Sequence, residues 1–190
     1  QWLYLDAFDA LPPVDGDDAP SADSRAPKGD RYDHLRAMLG QDLVSKLQSR
    51  RVFLVGSGAL GCEFLKSFCM LGVGCGGARG EGDGGDADAG YVTVTDMDQI
   101  EVSNLNRQFL FRQKDVGQPK SSTAAAAARA MNPDLRVEAI TTPVGTDTES
   151  TFNDRFWEGI DVVVNALDNV KARLYVDSQC VWYRRPLLES

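Results

Sequence analysis

Three glycines, Gly56, Gly58 and Gly61, stand between the apolar run Val52 to Val55 and the apolar run Phe64 to Leu71, in the order strand, glycine turn, helix. That order brings backbone N–H groups and a helix N-terminus to a phosphate or its neighbouring ribose. The alternative is a tight turn with no ligand. Lys120 falls in the first turn of a helix opened by Pro119, where a cation is unfavourable unless an anion is present. It reads as an anion site, the alternative being a solvated helix-end lysine. Between them lies Ser103-Asn104-Leu105-Asn106-Arg107-Gln108, a polar run after an acidic strand end. Its Arg107 offers a bidentate grip on phosphate, or else is solvated or ion-paired on an ordinary capped loop. Asp96 ends a strand at the position that hydrogen-bonds ribose hydroxyls. Asp168, followed by Asn169, stands directly after the buried strand Val162 to Asn165 and is a natural Mg²⁺ ligand beside a triphosphate. Asp98 and Glu101 read equally as surface acids and receive no role.

The glycine turn alone would suggest NAD and a dehydrogenase. Arg107, Lys120 and Asp168, crowding the same crevice, argue instead for ATP. No Gly-x-x-x-x-Gly-Lys-Ser/Thr motif occurs, so a Walker-type cradle is excluded. Without a Ser/His/Asp set, attack on the α-phosphate has to come from a substrate group such as a carboxylate, the protein supplying position and charge. The reaction this suggests is adenylation. A catalytically silent binding module is the other class to weigh; it predicts missing phosphate ligands.

The composition narrows the partners. A net charge of -8 repels phosphodiester backbones, so nucleic acid is not expected. Cys62, Cys69, Cys75 and Cys180 show no Cys-x-x-Cys spacing and the only histidine is His34, which argues against zinc. Cys62 sits at a helix N-terminus inside the glycine turn and reads as a packing residue rather than a nucleophile. Cys69 and Cys180 read as core, and Cys75 as exposed beside a flexible stretch. No apolar run approaches membrane-spanning length, and residues 1–10 lack the pattern of a signal peptide. A reducing, intracellular compartment is expected.

The elements that must position these residues follow from periodicity. Apolar residues Leu35, Met38, Leu39, Leu43 and Leu47 predict a helix divided at Gly40. Strands are predicted at Arg51–Val55, Tyr91–Thr95, Leu135–Ile140, Asp161–Asn165 and from Pro186 to Leu188. Between them fall helices over Phe64–Leu71, from Pro119 to Asn132, over Glu149–Trp157, and one marked by Val170, Leu174 and Val181. This alternation predicts an α/β, Rossmann-like, mostly parallel sheet with helices on both faces. Residues 1–10 are aromatic and read as the end of a preceding domain. Residues 11–30 read as a Pro/Asp/Ser-rich linker, 31–190 as the N-terminal part of one domain, and 75–90 as a disordered Gly/Asp-rich insert within it.

Taken in order, Gly-Ser-Gly-Ala-Leu-Gly-Cys-Glu (56–63), Thr-Asp-Met-Asp (95–98), Ser-Asn-Leu-Asn-Arg-Gln-Phe-Leu-Phe (103–111), Ala-Leu-Asp-Asn (166–169) and Arg-Pro-Leu-Leu-Glu-Ser (185–190) closely resemble the active adenylation domain of ubiquitin-activating enzymes. Gln-Trp-Leu-Tyr at the start and Pro-Val-Gly-Thr-Asp-Thr-Glu (143–149) look more like the ubiquitin enzyme than its relatives for other modifiers. The resemblance implies a ThiF/MoeB-like adenylation fold, incomplete at the C-terminus, and ATP·Mg²⁺-dependent adenylation of ubiquitin's C-terminal glycine. Thioester transfer to a cysteine outside this sequence would follow. By the same resemblance Ala59 meets the adenine nucleotide and Asp96 the ribose. Asn104, Arg107, Gln108 and Lys120 meet the phosphates, and Asp168, with Asn169 beside it, meets Mg²⁺. Implied partners are ubiquitin and, through domains absent here, ubiquitin-conjugating enzymes; the implied location is cytoplasmic and nuclear. His34 and Leu35 depart from the family's Arg-Gln pair after Arg-Tyr-Asp, a pair whose arginine serves the opposite adenylation half.

Overall fold

The computed structural model describes Gly16 and residues 19–76 and 89–190. The expected end of a preceding domain (1–10), the start of the linker and residues 77–88 of the insert lie outside the described residues.

Five strands form one wholly parallel sheet: β1 (Arg51–Val55), β2 (Tyr91–Thr95), β3 (Val137–Ile140), β4 (Val162–Asn165) and β5 (Leu187–Leu188). Their spatial order is β3-β2-β1-β4-β5, so the chain builds outward from β1 in one direction and then returns to build in the other. Successive side chains of a strand point to opposite faces, and β1 therefore feeds two cores. Val52 and Leu54 pack with Cys62, Leu65 and Cys69 of α3 (Ala59–Leu71) and with Ala124, Ala125 and Ala128 of α4 (Lys120–Met131). Phe53 and Val55 pack with Phe152, with Trp157 of α5 (Asp154–Glu158), and with Val176 and Cys180 of α6 (Val170–Tyr183). The alanines of α4 favour helix and let it lie close to the sheet. On the opposite face Phe53 is an aromatic hub. Phe156 meets it edge-on at 4.8 Å and Trp157 at 5.7 Å, both favourable ring geometries.

Before β1 come α1 (Ala22–Arg25) and α2 (Asp33–Gln48), so part of the stretch read as linker is helical. α2 is divided at Gly40 as expected, with φ 77 and ψ 160. A Cβ at Gly40 would lie 2.7 Å from Pro20 Cβ, and the Gln41 N–H freed by the kink donates to Ser24 Oγ of α1 at 2.9 Å. Arg36, 2% exposed, spans the same kink, bonded to Gln41 Oε1 at 2.8 Å and to the carboxylates of Asp30 and Asp33.

Several expected boundaries shift. α3 begins at Ala59 rather than Phe64, because only Gly56 to Gly58 are needed for the turn and Gly61 already lies in the helix. β3 starts at Val137 rather than Leu135, because Leu135 N–H closes a turn on Asn132 O. Of the helix expected over Glu149–Trp157 only α5 forms, after a 3-10 turn at Thr146–Thr148 that precedes the span; α5 starts late because the Asn153 side chain caps it by accepting from Phe156 N–H. Val170, Leu174 and Val181 do mark α6, but they are 69%, 65% and 72% exposed; its core face is Val176 and Cys180. Cys75 is half-buried, with Asn132 Nδ2 3.3 Å from its sulfur, and burial pushes its thiol up; the expectation of an exposed thiol is corrected.

Candidate functional site

The carboxyl ends of the strands open into a cleft of about 970 Å³. It lies where the sheet order turns from β2 to β4 about β1, the place where neighbouring βα turns diverge and leave a crevice. Gly56, Gly58, Ala59, Asp96, Asn104, Arg107, Gln108, Lys120, Asp168 and Asn169 all line it. Gly61 does not. Its hypothetical Cβ would stand 2.3 Å from Gly56 O, so it is the glycine that lets α3 dock against the turn. Gly56 has φ +99, and a Cβ there would meet Ala166 O at 2.5 Å, so the turn runs hard against the end of β4.

Above that turn, the N-cap of α3 is Gly58, which offers no side chain, and Cys62 N–H is bonded back to Gly58 O at 3.0 Å. The first-turn N–H groups thus face the cleft without a side-chain acceptor, an arrangement suited to an anion. Asp96 holds the turn from below. Its Oδ2 accepts from Ser57 N at 2.7 Å and Ser57 Oγ at 3.0 Å, and its Oδ1 from Asp98 N at 2.9 Å. The carboxylate keeps further lone pairs toward the cleft while fixing the loop that faces it.

A second wall comes from residues 101–120. Asn104 is buried and its Oδ1 accepts from Glu101 N at 3.0 Å, which sets the 3-10 turn Val102–Asn104. Gln108, 4% exposed, lies 3.8 Å (Nε2) from where a Gly58 Cβ would be, and its Oε1 is buried without a hydrogen-bond partner. Such an atom is costly to bury. Arg107 is exposed at the cleft; its Nη1 donates to Ser103 O at 3.0 Å and Asn106 Oδ1 at 3.1 Å. No carboxylate of the described residues lies within ion-pair distance of it. Lys120 is neither solvated nor isolated, since its side chain is 10% exposed and Nζ meets Asp98 Oδ2 at 2.8 Å. Asp98 is therefore a cleft residue that the sequence left without a role. Only the spacing of two acids beyond β2 hinted at it.

Across the cleft, Asp168 is exposed just past β4, with no hydrogen-bond or ion-pair partner among the described residues. Asn169 caps α6, its Oδ1 accepting from Ala172 N at 2.8 Å. Sequence reasoning missed the remaining wall, the loop 143–148, which faces Leu167, Ala172 and Tyr175. Its 143–149 stretch entered the sequence reading only as part of the resemblance, and periodicity does not show that it faces the cleft. Cys62 lies beneath the turn, fully buried, and burial pushes its thiol up to about 11, which leaves it neutral and fits a packing role.

The cleft lining sets Arg107, Lys120 and Lys171 against four carboxylates, those of Asp96, Asp98, Asp147 and Asp168, and Val144, Leu167 and Tyr175 give it apolar surface. The lining residues include no serine, cysteine or histidine. Among the described residues no group of three or more His, Cys, Asp or Glu side chains is placed to hold a metal ion by itself, and no helix is long and apolar enough to cross a membrane.

A model of the ThiF family matches residues 32–190. Over its whole length the chain is 52% identical to ubiquitin-like modifier-activating enzyme 1 of Rattus norvegicus and covers 17% of it. It is 50% identical, again over its whole length, to ubiquitin-activating enzyme E1 1 of Arabidopsis thaliana and covers 16% of that protein. The chain thus spans about one sixth of the length of these relatives. Among solved structures it resembles TcdA (CsdL), with a TM-score of 0.69 at 23% identity, covering 84% of this chain and 56% of that one. The E. coli tRNA N6-threonylcarbamoyladenosine dehydratase TcdA in complex with ATP aligns with the same score and identity over 84% of this chain and 58% of that one. At 23% identity these two likenesses concern the fold.

Proposed function

The chain belongs to the ThiF family, and on that premise we propose that it binds ATP in the cleft beyond its strands and adenylates the C-terminal glycine of ubiquitin, the first step of ubiquitin activation. The observation that carries this reading is the convergence, in one cleft, of the uncapped α3 N-terminus, Arg107 and Lys120 with the carboxylates of Asp96 and Asp168.

The triphosphate lies over the first turn of α3, with Asn104, Arg107, Gln108 and Lys120 around it. The ribose reaches Asp96, and the base faces the apolar wall of Val144, Leu167 and Tyr175. The substrate carboxylate oxygen attacks the α-phosphorus; an acyl–O–P bond forms, the α–β phosphoanhydride bond breaks, and pyrophosphate leaves with the bonding pair. Arg107 and Lys120 neutralise the charge that gathers on the leaving group. Lys120 changes partners for this, its ammonium being shared between Asp98 and phosphate. The nucleophile is the substrate's own carboxylate, and catalysis is positioning and charge.

A divalent ion fits this donor set. Asp168 has a free carboxylate, and Mg²⁺ usually takes one or two carboxylates with phosphate oxygens and water completing its shell. When bound, it supplies charge neutralisation on the phosphates.

The relatives named for ubiquitin activation support ubiquitin as the substrate. The conjugating enzymes then engage parts of the protein beyond these residues. All four cysteines are free thiols, in keeping with a cytoplasmic and nuclear location. Arg107, Lys120 and Asp168 in the lining weigh against hydride transfer and against a silent module.

The test is ATP–pyrophosphate exchange by the full-length parent protein with ubiquitin present, omitted or replaced by another modifier. Exchange that requires ubiquitin is expected. Nucleotide binding with no exchange under any modifier would overturn the reaction while leaving the nucleotide site in place.

A further inference from the structure

Loop 143–148 is a wall of the cleft, and Val144 within it packs against the second core. Gly145 runs fully extended, and a Cβ built there would meet nothing within 4 Å. Two threonine hydroxyls give the loop its path. At its start, Thr95 Oγ1, buried at the end of β2 beside Asp96, donates to Thr142 O at 2.6 Å. At its end, Thr148 Oγ1 accepts from Gly145 N at 3.1 Å and shares its proton between Pro143 O at 2.7 Å and Gly145 O at 2.9 Å. Thr148 O in turn accepts from Thr151 N at 3.0 Å and Phe152 N at 3.1 Å, tying the loop to a buried ring of the second core. One hydroxyl thus fixes Pro143 and Gly145 relative to the core, and Val144 between them is set against the cleft.

We infer that Thr148 is a positioning residue for the nucleotide, holding the wall against which the base end lies. This rests on the nucleotide reading of the cleft. Its side chain acts through loop 143–148 and not on the reacting phosphorus. Removal of the hydroxyl loosens a surface that otherwise meets the nucleotide already shaped, and affinity falls because the loop must be ordered on binding. The bond-making step, governed by Arg107, Lys120 and the substrate carboxylate, is untouched.

The experiment uses the full-length parent and its Thr148→Val, Thr148→Ala and Thr148→Ser variants. Binding of a fluorescent ATP analogue is measured at equilibrium, and ATP–pyrophosphate exchange gives KM for ATP and kcat. Thr148 is half-buried on a surface loop, and a thermal melt of each variant confirms the fold. Thr148→Val, which keeps the shape, should weaken analogue binding and raise KM roughly three- to tenfold, the range of one or two net hydrogen bonds, with kcat within about twofold. Thr148→Ser should restore both values, and Thr148→Ala should match Thr148→Val. Analogue binding by Thr148→Val equal to that of the parent overturns the inference, as does a Ser variant as weak as the Val variant, or a fall in kcat at unchanged KM. Absence of ubiquitin-dependent exchange in the parent defeats the adenylation reading alone, because the binding comparison still reports on Thr148. A parent that binds no nucleotide defeats both.

Discussion

At the scale of single residues, the cleft separates groups that are already committed from groups that are free. Asp96, Asn104 and Asn169 each spend side-chain atoms on the loop or helix that carries them. Asp168 spends none, so Asp168→Ala should abolish Mg²⁺-dependent exchange in the full-length protein while changing unfolding stability by less than about 0.5 kcal/mol. Exchange at the parental rate would remove the metal assignment. Arg107→Lys keeps the charge but loses the planar fork, and KM for ATP should rise about tenfold, read from the same exchange assay. The buried thiols make a pH prediction. Burial pushes Cys62 and Cys69 up to about 11 and Cys180 up to about 12, from an ordinary value of 9.0. Folded pKa values above unfolded ones mean that this stabilisation is complete below the unfolded value and is lost as pH rises through the folded ones. The urea midpoint should therefore hold up to about pH 9 and fall between about pH 9 and about pH 11, and an unchanged midpoint would contradict the burial argument.

The elements were legible in the sequence to different depths. β1, β2 and β4 read clearly because each is a run of β-branched and apolar residues buried on both faces, and the Gly56 turn read clearly because no other residue type fits φ +99 there. Gly61 belonged to the same fingerprint, yet its job is packing rather than contact. Gly61→Ala should therefore cost about 3 kcal/mol of stability by overpacking, measurable by urea denaturation, and a neutral result would show that α3 can shift. The start of α6 at Val170, capped by Asn169, agreed with the apolar spacing, whereas that of α5 did not. Asn153 begins α5 well after the apolar spacing begins. The exposed apolar stripe of α6 shows a further limit, since periodicity reports a helix without saying which of its faces meets the core. Phe53 was read only as part of a strand, though three aromatic rings surround it. Phe53→Ala should cost about 3–5 kcal/mol in the same denaturation assay.

For the molecule as a whole, the motifs located the cleft because residues at the carboxyl ends of parallel strands must converge, whatever lies between them. Residues 143–149 stood out only as part of the resemblance, and their place as a cleft wall was not legible because it rests on backbone shape held by threonine hydroxyls, which composition does not display. The acidic surface, net -8, predicts that anisotropy of a fluorescent DNA duplex stays flat on titration with the protein at about 0.15 M salt. The sheet order has a consequence in time as well as in space. β1 pairs with β2 on one side, but its other neighbour is β4, and the carboxylate of Asp161 just before β4 accepts from Arg51 N at 2.8 Å. As the chain leaves the ribosome, the core beneath α3 and α4 can begin to form once β3 has emerged, and Val164 of β4 completes it. Phe53 and Val55 on the opposite face stay uncovered until residues 152–180 follow. Long-range parallel pairing of this kind is slow, and the half-built sheet offers an apolar face and an open edge to other chains in the interval.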